Sequence, residues 1–241
     1  MKHSFIYNNY TERFHVKHMN YKGILFDFNG TLFFDSDINE IAWHQTVDEL
    51  SNKTIDFDPV YKQYKSVRNA LFVEKLFELM NKEVSEEEIK YWAKRKETEY
   101  YHKYVYEHNR KDLSPGAERF LNELKQNNIP INLCTASIEE NVDLYLNYLG
   151  LDRWFDKNVI TYDDGSFESK KYMYIEGAKR IGLDVKDCLI FEDSYRPIVE
   201  AKEAGCKNFI AIKRNEIPAI PEIKLFIDDF DDVNIERLNS L

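Results

Sequence analysis

The sequence predicts an α/β chain: a parallel β-sheet covered by helices on both faces, interrupted after its first strand by an all-helical insertion. Three observations carry this. From residue 112 onward, short apolar runs alternate with amphipathic helical patterns, the order a parallel sheet needs because each strand requires a crossover before the next. The first strand-like run stands apart from the second by more than a hundred residues, although a strand–helix–strand step needs only about 30. Within this gap, residues 37–111 have helical periodicity and contain no Gly. The surplus of roughly 70–80 residues over a single crossover therefore reads as an inserted module. It lies beside the C-terminal end of a strand, where open α/β sheets bind their ligands.

Taken in order, residues 22–28 (KGILFDF) are short, apolar and aromatic enough for a buried strand, and the run ends at Asn29-Gly30-Thr31, a turn signal. Within 37–111, Phe72, Val73, Leu76, Phe77 and Met80 share one helical face. Ser85 with Glu88 forms a capping box that opens a helix turning Ile89 and Trp92 inward. Trp43 and His44 read as helix packing. Ser114-Pro115 predicts an N-cap with Pro at the first helical position, ahead of Phe120, Leu121 and Leu124. A strand is expected over Ile129–Cys134, a helix capped by Ser137 with Glu140 after it, and a third strand over Asn158–Ile160. Helix 170–181, strand Cys188–Phe191, helix 195–204, strand Phe209–Ile212 and a final strand Leu225–Ile227 complete the sheet. Asp228–Asp232 lacks the Gly and terminal Glu of a calcium loop and reads as a solvated turn. The expected organisation is an N-terminal extension over 1–21, a core over 22–36 and 112–241, and a helical module over 37–111.

Composition bounds the function. A 43% hydrophobic content excludes wholesale disorder, and 43 acidic against 33 basic residues give a net charge of −10. Such a body repels nucleic acid and anionic lipid, so neither partner is expected. No apolar run approaches the about 20 residues of a membrane helix, and the N-terminal segment has no signal-peptide h-region. Cys134, Cys188 and Cys206 show no paired spacing and read as free thiols of a reducing compartment, so a cytoplasmic chain is expected. The sequence carries no signal of oligomeric state, and a monomer is the default expectation.

Four polar clusters fall at or just after strand ends: Asp27-x-Asn29-Gly30-Thr31, Thr135-Ala136-Ser137, Lys170-Lys171, and Glu192-Asp193-Ser194. A carboxylate nucleophile, hydroxyls, a cation and an acidic metal site make a phosphoryl-transfer set. The carboxylate attacks phosphorus, cations neutralise the equatorial oxygens, and hydroxyl and backbone N–H groups position them.

In this order, D-x-N-G-T, an apolar strand ending in Thr, Lys, then E-D-S, the chain resembles the haloacid dehalogenase-like (HAD) hydrolase superfamily from about Tyr21 to Ile212. SPGAERFLNELKQNNIPINLCTAS and IFEDSYRPIVEAKEAG are similar to its β-phosphoglucomutase and phosphoglycolate phosphatase branch, which carries a helical cap after the first motif. The resemblance implies a Rossmann-like parallel-sheet core with an inserted α-helical cap, and hydrolysis of a small phosphorylated metabolite with Mg²⁺. By position, Asp27 is the expected nucleophile, forming an aspartyl-phosphate. Asn29 takes the place of the family's second Asp, whose backbone carbonyl binds Mg²⁺ and whose carboxylate is the general acid/base. Thr135 is expected to hold the phosphoryl group. Lys170 is expected to be the motif lysine, with Lys171 near enough to compete. Asp193 and Glu192 join Asp27 and Asn29 at the metal. Gly30, Thr31, Ala136, Ser137 and Arg68 are the remaining substrate-binding candidates, although the S-V-R-N stretch around Arg68 lacks the Gly of related caps and a solvated Arg is the simpler reading.

Two departures bear on activity. An amide at position 29 cannot deliver a proton, and acid/base catalysis is typically worth ~10²–10⁴-fold. The loss matters least for acyl phosphates and weighs against a sugar-phosphate mutase, which must deprotonate a hydroxyl. It leaves a weakly catalytic phospho-ligand-binding protein as an alternative. The retained Glu192-Asp193 pair argues against a metal-free dehalogenase. In addition, SKKYMYIEGAKRIG lacks the K-P-x-P-D run common in this branch, which leaves Lys170 and Lys171 open.

Overall fold

The computed structural model describes residues 21–65 and 67–241; the expected N-terminal extension, apart from Tyr21, lies outside them. Strand β1 (Gly23–Phe26) is followed by helices α1 (Ser36–Ser51), α2 (Phe57–Tyr64), α3 (Asn69–Leu79) and α4 (Glu86–Arg95), a π-helical turn (Lys96–Tyr101) and α5 (His102–Glu107). Then come α6 (Ala117–Gln126), β2 (Ile131–Leu133), α7 (Glu139–Asn147), α8 (Lys170–Arg180), β3 (Cys188–Glu192), α9 (Tyr195–Glu203), β4 (Phe209–Ile212), β5 (Ile223–Ile227) and the short α10 (Ile235–Leu238).

The five strands form one parallel sheet in the order β2-β1-β3-β4-β5. Their near-continuous apolar sequences fit burial on both faces. One face packs Phe26, Phe120, Phe191 and Phe230, with the Phe26 and Phe191 rings stacked at 5.0 Å. The other packs Leu25, Ile190, Tyr174, Ala178 and Ile198 beneath α8 and α9. The helical segment has its own core around Trp43, Val47, Phe72, Val73, Leu76 and Phe77, with Trp43 against Phe72 at 4.1 Å. Its capping box at Ser85 and Glu88 is present. Among the described residues no helix is long and apolar enough to cross a membrane.

Three local expectations are corrected. No strand forms over 158–160. The chain makes a single bridge, Cys134 with Thr161, because Asp156 turns the backbone by accepting from Val159 and Ile160 N–H, and the Val159 carbonyl accepts from the Asn132 side chain instead of a strand. Ser114 does not cap α6. Gly116 does, at φ +73, where a side chain would collide with the Phe230–Asp231 backbone. Ser114 instead donates its hydroxyl to the carbonyls of Thr31 (3.0 Å) and Leu32 (3.1 Å), tying together the two chain segments that lead into and out of the helical insertion. Ser137 likewise does not cap α7, whose first turn follows Ile138; its hydroxyl is turned toward Asn29.

Candidate active site

β1 has neighbours on both sides, β2 and β3, so the chain leaves its C-terminal edge in opposite directions and a crevice opens there. Asp27 is the first residue past β1, and its N–H donates to the Phe191 carbonyl at 3.0 Å, which extends the ladder by one step and fixes the side chain over the crevice. Its Oδ1 is paired with Lys170 Nζ, and Thr31 Oγ1 lies 3.5 Å from Oδ2. Lys170 opens α8, with its own N–H held by Glu200 at 2.9 Å. Its ammonium donates to the Cys134 carbonyl (2.9 Å) and sits 3.7 Å from Glu192. Burial alone would lower the lysine pKa; the Asp27 and Glu192 carboxylates outweigh it and raise it, so the ammonium stays charged.

The end of β3 supplies the acidic side. Oxygens of Asp27, Glu192 and Asp193, all buried, lie within 4.8 Å of one another. Burial and the nearby Asp27 push Glu192 well above the usual carboxylate range and Asp193 up to about 7. Tyr174 donates its hydroxyl to Glu192, while Asn215 (2.9 Å) and Ser194 (3.2 Å) donate to Asp193. Gly30, at φ +77, is what lets Asp193 approach: a Cβ there would collide with its carboxylate. Three carboxylates against one lysine is an all-oxygen, negatively charged donor set. It fits a hard divalent cation such as Mg²⁺ and does not fit a thiophilic metal.

Asn29 stands beside this cluster with its carboxamide filled. Nδ2 donates to Asp35 Oδ2 (2.6 Å) and to Tyr101 Oη (3.3 Å); Oδ1 accepts from Ser137 (2.9 Å) and Tyr145 (3.2 Å). Tyr101 also donates to Asp35 at 2.6 Å. Burial pushes Asp35 up to about 6 in spite of these donors.

The structure thus brings together Asp27, Gly30, Thr31, Lys170, Glu192 and Asp193, and links Asn29 to Ser137. Thr135 is buried just past β2, its hydroxyl accepting from the Ser137 N–H at 3.2 Å. Ala136 is exposed on the same turn. Lys171 points the other way, 3.8 Å from Glu203, so of the two lysines Lys170 faces the carboxylates. Arg68, at the start of α3, is exposed and donates to the Glu168 carbonyl (3.2 Å) in the loop ahead of α8. Trp43 packs in the helical core and His44 against Phe57, as expected of packing residues.

Sequence reading missed Asp35, Tyr101, Tyr145, Tyr174 and Asn215. Asp35 carried a usable signal, an acid directly after the apolar Leu32-Phe33-Phe34 run and so poised for burial. Tyr101 was hidden in a tyrosine-rich stretch; of Tyr91, Tyr100, Tyr101, Tyr104 and Tyr106, it alone is buried.

The family of haloacid dehalogenase-like hydrolases matches residues 21–205, and the chain belongs to it. A Bacillus subtilis (strain 168) protein named "Putative phosphatase YhcW" is 27% identical over 91% of this chain and 92% of its own. A crystal structure of a HAD hydrolase, family IA, variant 3, from Entamoeba histolytica HM-1:IMSS superposes with a TM-score of 0.80 at 29% identity, covering 91% of this chain and 98% of that one. The β-phosphoglucomutase of Clostridium difficile shares the fold, with a TM-score of 0.73 at 23% identity over 91% of this chain and 96% of that one.

Proposed function

We propose that the protein is a Mg²⁺-dependent phosphohydrolase acting on a small phosphorylated metabolite, with Asp27 as nucleophile. The observation that carries this reading is the convergence of Asp27, Lys170, Glu192 and Asp193 at one sheet edge. In this reading Asp27 attacks phosphorus, the bond to the leaving oxygen breaks, and an aspartyl-phosphate forms; water then displaces Asp27 and releases phosphate. Lys170 neutralises the phosphoryl oxygens, and Thr31, Thr135 and Ser137 supply hydroxyls around them. Asp27, Glu192, Asp193 and the Asn29 backbone carbonyl would hold the cation. When bound, it shields the phosphoryl charge from the carboxylates. The helical segment 37–111 acts as a cap over the site; the Arg68 contact to Glu168 supports this, because it joins that segment to the loop that leads into Lys170.

With an amide at position 29 the leaving oxygen departs without a carboxylic proton, so the favoured substrates are acyl phosphates or other esters with good leaving groups. The test is phosphate release from acetyl phosphate and a panel of sugar phosphates, with and without Mg²⁺. Acetyl phosphate is expected to turn over at least about tenfold faster than the sugar phosphates, with loss of release in Asp27→Ala. Equal rates in the natural chain and Asp27→Ala would sink the reading. Asn29 also favours a second reading, a phospho-ligand-binding protein with slow turnover; phosphometabolite binding without release in the natural chain would indicate it.

A further inference from the structure

The four hydrogen bonds on Asn29 define which chemical group that position accepts. A carboxamide has two N–H donors and two acceptor lone pairs. Here both donors are used, toward Asp35 (2.6 Å) and Tyr101 (3.3 Å), and the oxygen faces the Ser137–Tyr145 hydroxyl pair, whose oxygens lie 2.9 Å and 3.2 Å from it and 2.9 Å from each other. The partners cannot be reversed. Asp35, when ionised, only accepts, and it already takes the Tyr101 hydroxyl at 2.6 Å. Asp35, Tyr101 and Tyr145 are buried, so water does not replace a lost partner.

We propose that Asp35 is a positioning residue of this site. It fixes the Asn29 carboxamide, and through it the Ser137 hydroxyl beside Thr135, so that residues 29 and 35 work only as one amide and one carboxylate. Asn29 is then an integral part of the site and not an acid that has been lost. A carboxylate at position 29 has no N–H to give the Asp35 carboxylate and the Tyr101 oxygen, so both lose the donor that Asn29 supplies. In the phosphohydrolase reading the Asn29 side chain counts only as a missing acid, on which Asn29→Asp should raise turnover. The hydrogen-bond network leads to the opposite outcome.

This inference rests on the phosphohydrolase reading, so the experiment has two independent readouts. The natural chain, Asn29→Asp, Asp35→Asn and the exchanged pair Asn29→Asp/Asp35→Asn are compared as full chains, in acetyl phosphate turnover with Mg²⁺ and in urea midpoint. Each single change is expected to lower kcat by about tenfold or more with KM within about threefold, while the exchanged pair recovers most of the loss in both readouts. Tyr101→Phe keeps the buried ring and removes one donor to Asp35; it is expected to lower kcat with KM retained, a split that simple destabilisation would not give. Turnover by Asn29→Asp at or above the natural rate, or an exchanged pair no better than the product of its singles, overturns the proposal. If none of the chains releases phosphate, the hydrolase reading fails on its own. The urea midpoints then decide the pair: recovery on exchange supports it and additive losses overturn it.

Discussion

Gly30 shows how much one missing side chain decides. Its positive φ and its contact with the Asp193 carboxylate exclude a Cβ for two independent reasons, backbone strain and occupied space. Forcing an L-residue into the left-handed region costs roughly 1–2 kcal/mol, and the displaced Asp193 would leave the acidic cluster. Gly30→Ala is therefore expected to lower urea stability by at least that amount and to abolish the response of the urea midpoint to Mg²⁺. An unaltered Mg²⁺ response would contradict the account of Gly30 as the residue that admits Asp193. The sequence already marked Gly30 as a turn. It could not show Asp193 against it, because the two meet only when β1 and β3 pair.

Among the elements, the π-helical turn Lys96–Tyr101 is the least expected. Such turns are rare and often occur at functional positions. In this one Lys96, Glu97 and Tyr101 are all buried. Lys96 pairs with Glu97 at 2.9 Å over the faces of Trp43 and Tyr101, while Asn69 (2.6 Å) and Asn141 (2.9 Å) donate to the same carboxylate. The turn thereby joins the helical segment to α7 and holds Tyr101 on Asp35. Removing one ion of a buried pair leaves the other unpaired and costs about 3–5 kcal/mol. Lys96→Met should destabilise the chain by that order in urea, and Lys96→Met/Glu97→Gln should regain much of it. Equal losses in both variants would mean that the pair contributes nothing as a pair. Periodicity could not find this turn, since the run KRKETEYY is charged and reads as a solvated helix face.

For the whole molecule, the dominant fact is a body of net charge −10 with three buried carboxyl groups, Asp27, Glu192 and Asp193, gathered at the edge of the sheet. Anionic substrate and acidic site repel unless a cation lies between them. A cation that binds only the folded chain stabilises it by about 2.7 kcal/mol at a hundredfold excess over Kd. Mg²⁺ is accordingly expected to raise the urea midpoint of the natural chain and to leave that of Asp193→Asn nearly unchanged. A midpoint indifferent to Mg²⁺ in the natural chain would argue against the cluster as a cation site.

The alternation of strands and helices, the helical stretch after the first strand and the four polar clusters were legible in the sequence itself. Each rests on local physics: apolar period, turn residues and caps act over a few positions, and the polar clusters stand where strands end. The tertiary structure decided the rest. It chose Lys170 over Lys171, because only the first residue of α8 faces Asp27. It replaced the strand expected at 158–160 with a turn closed by Asp156, and it gave Ser114 and Ser137 partners outside their helices. It also surrounded Asn29 with Asp35, Tyr101, Ser137 and Tyr145, groups separated by up to 116 positions along the chain. The reason is common to all of these. A buried polar group must find a partner wherever the packed core brings one, and that choice is made by the folded chain as a whole and not by its neighbours in sequence.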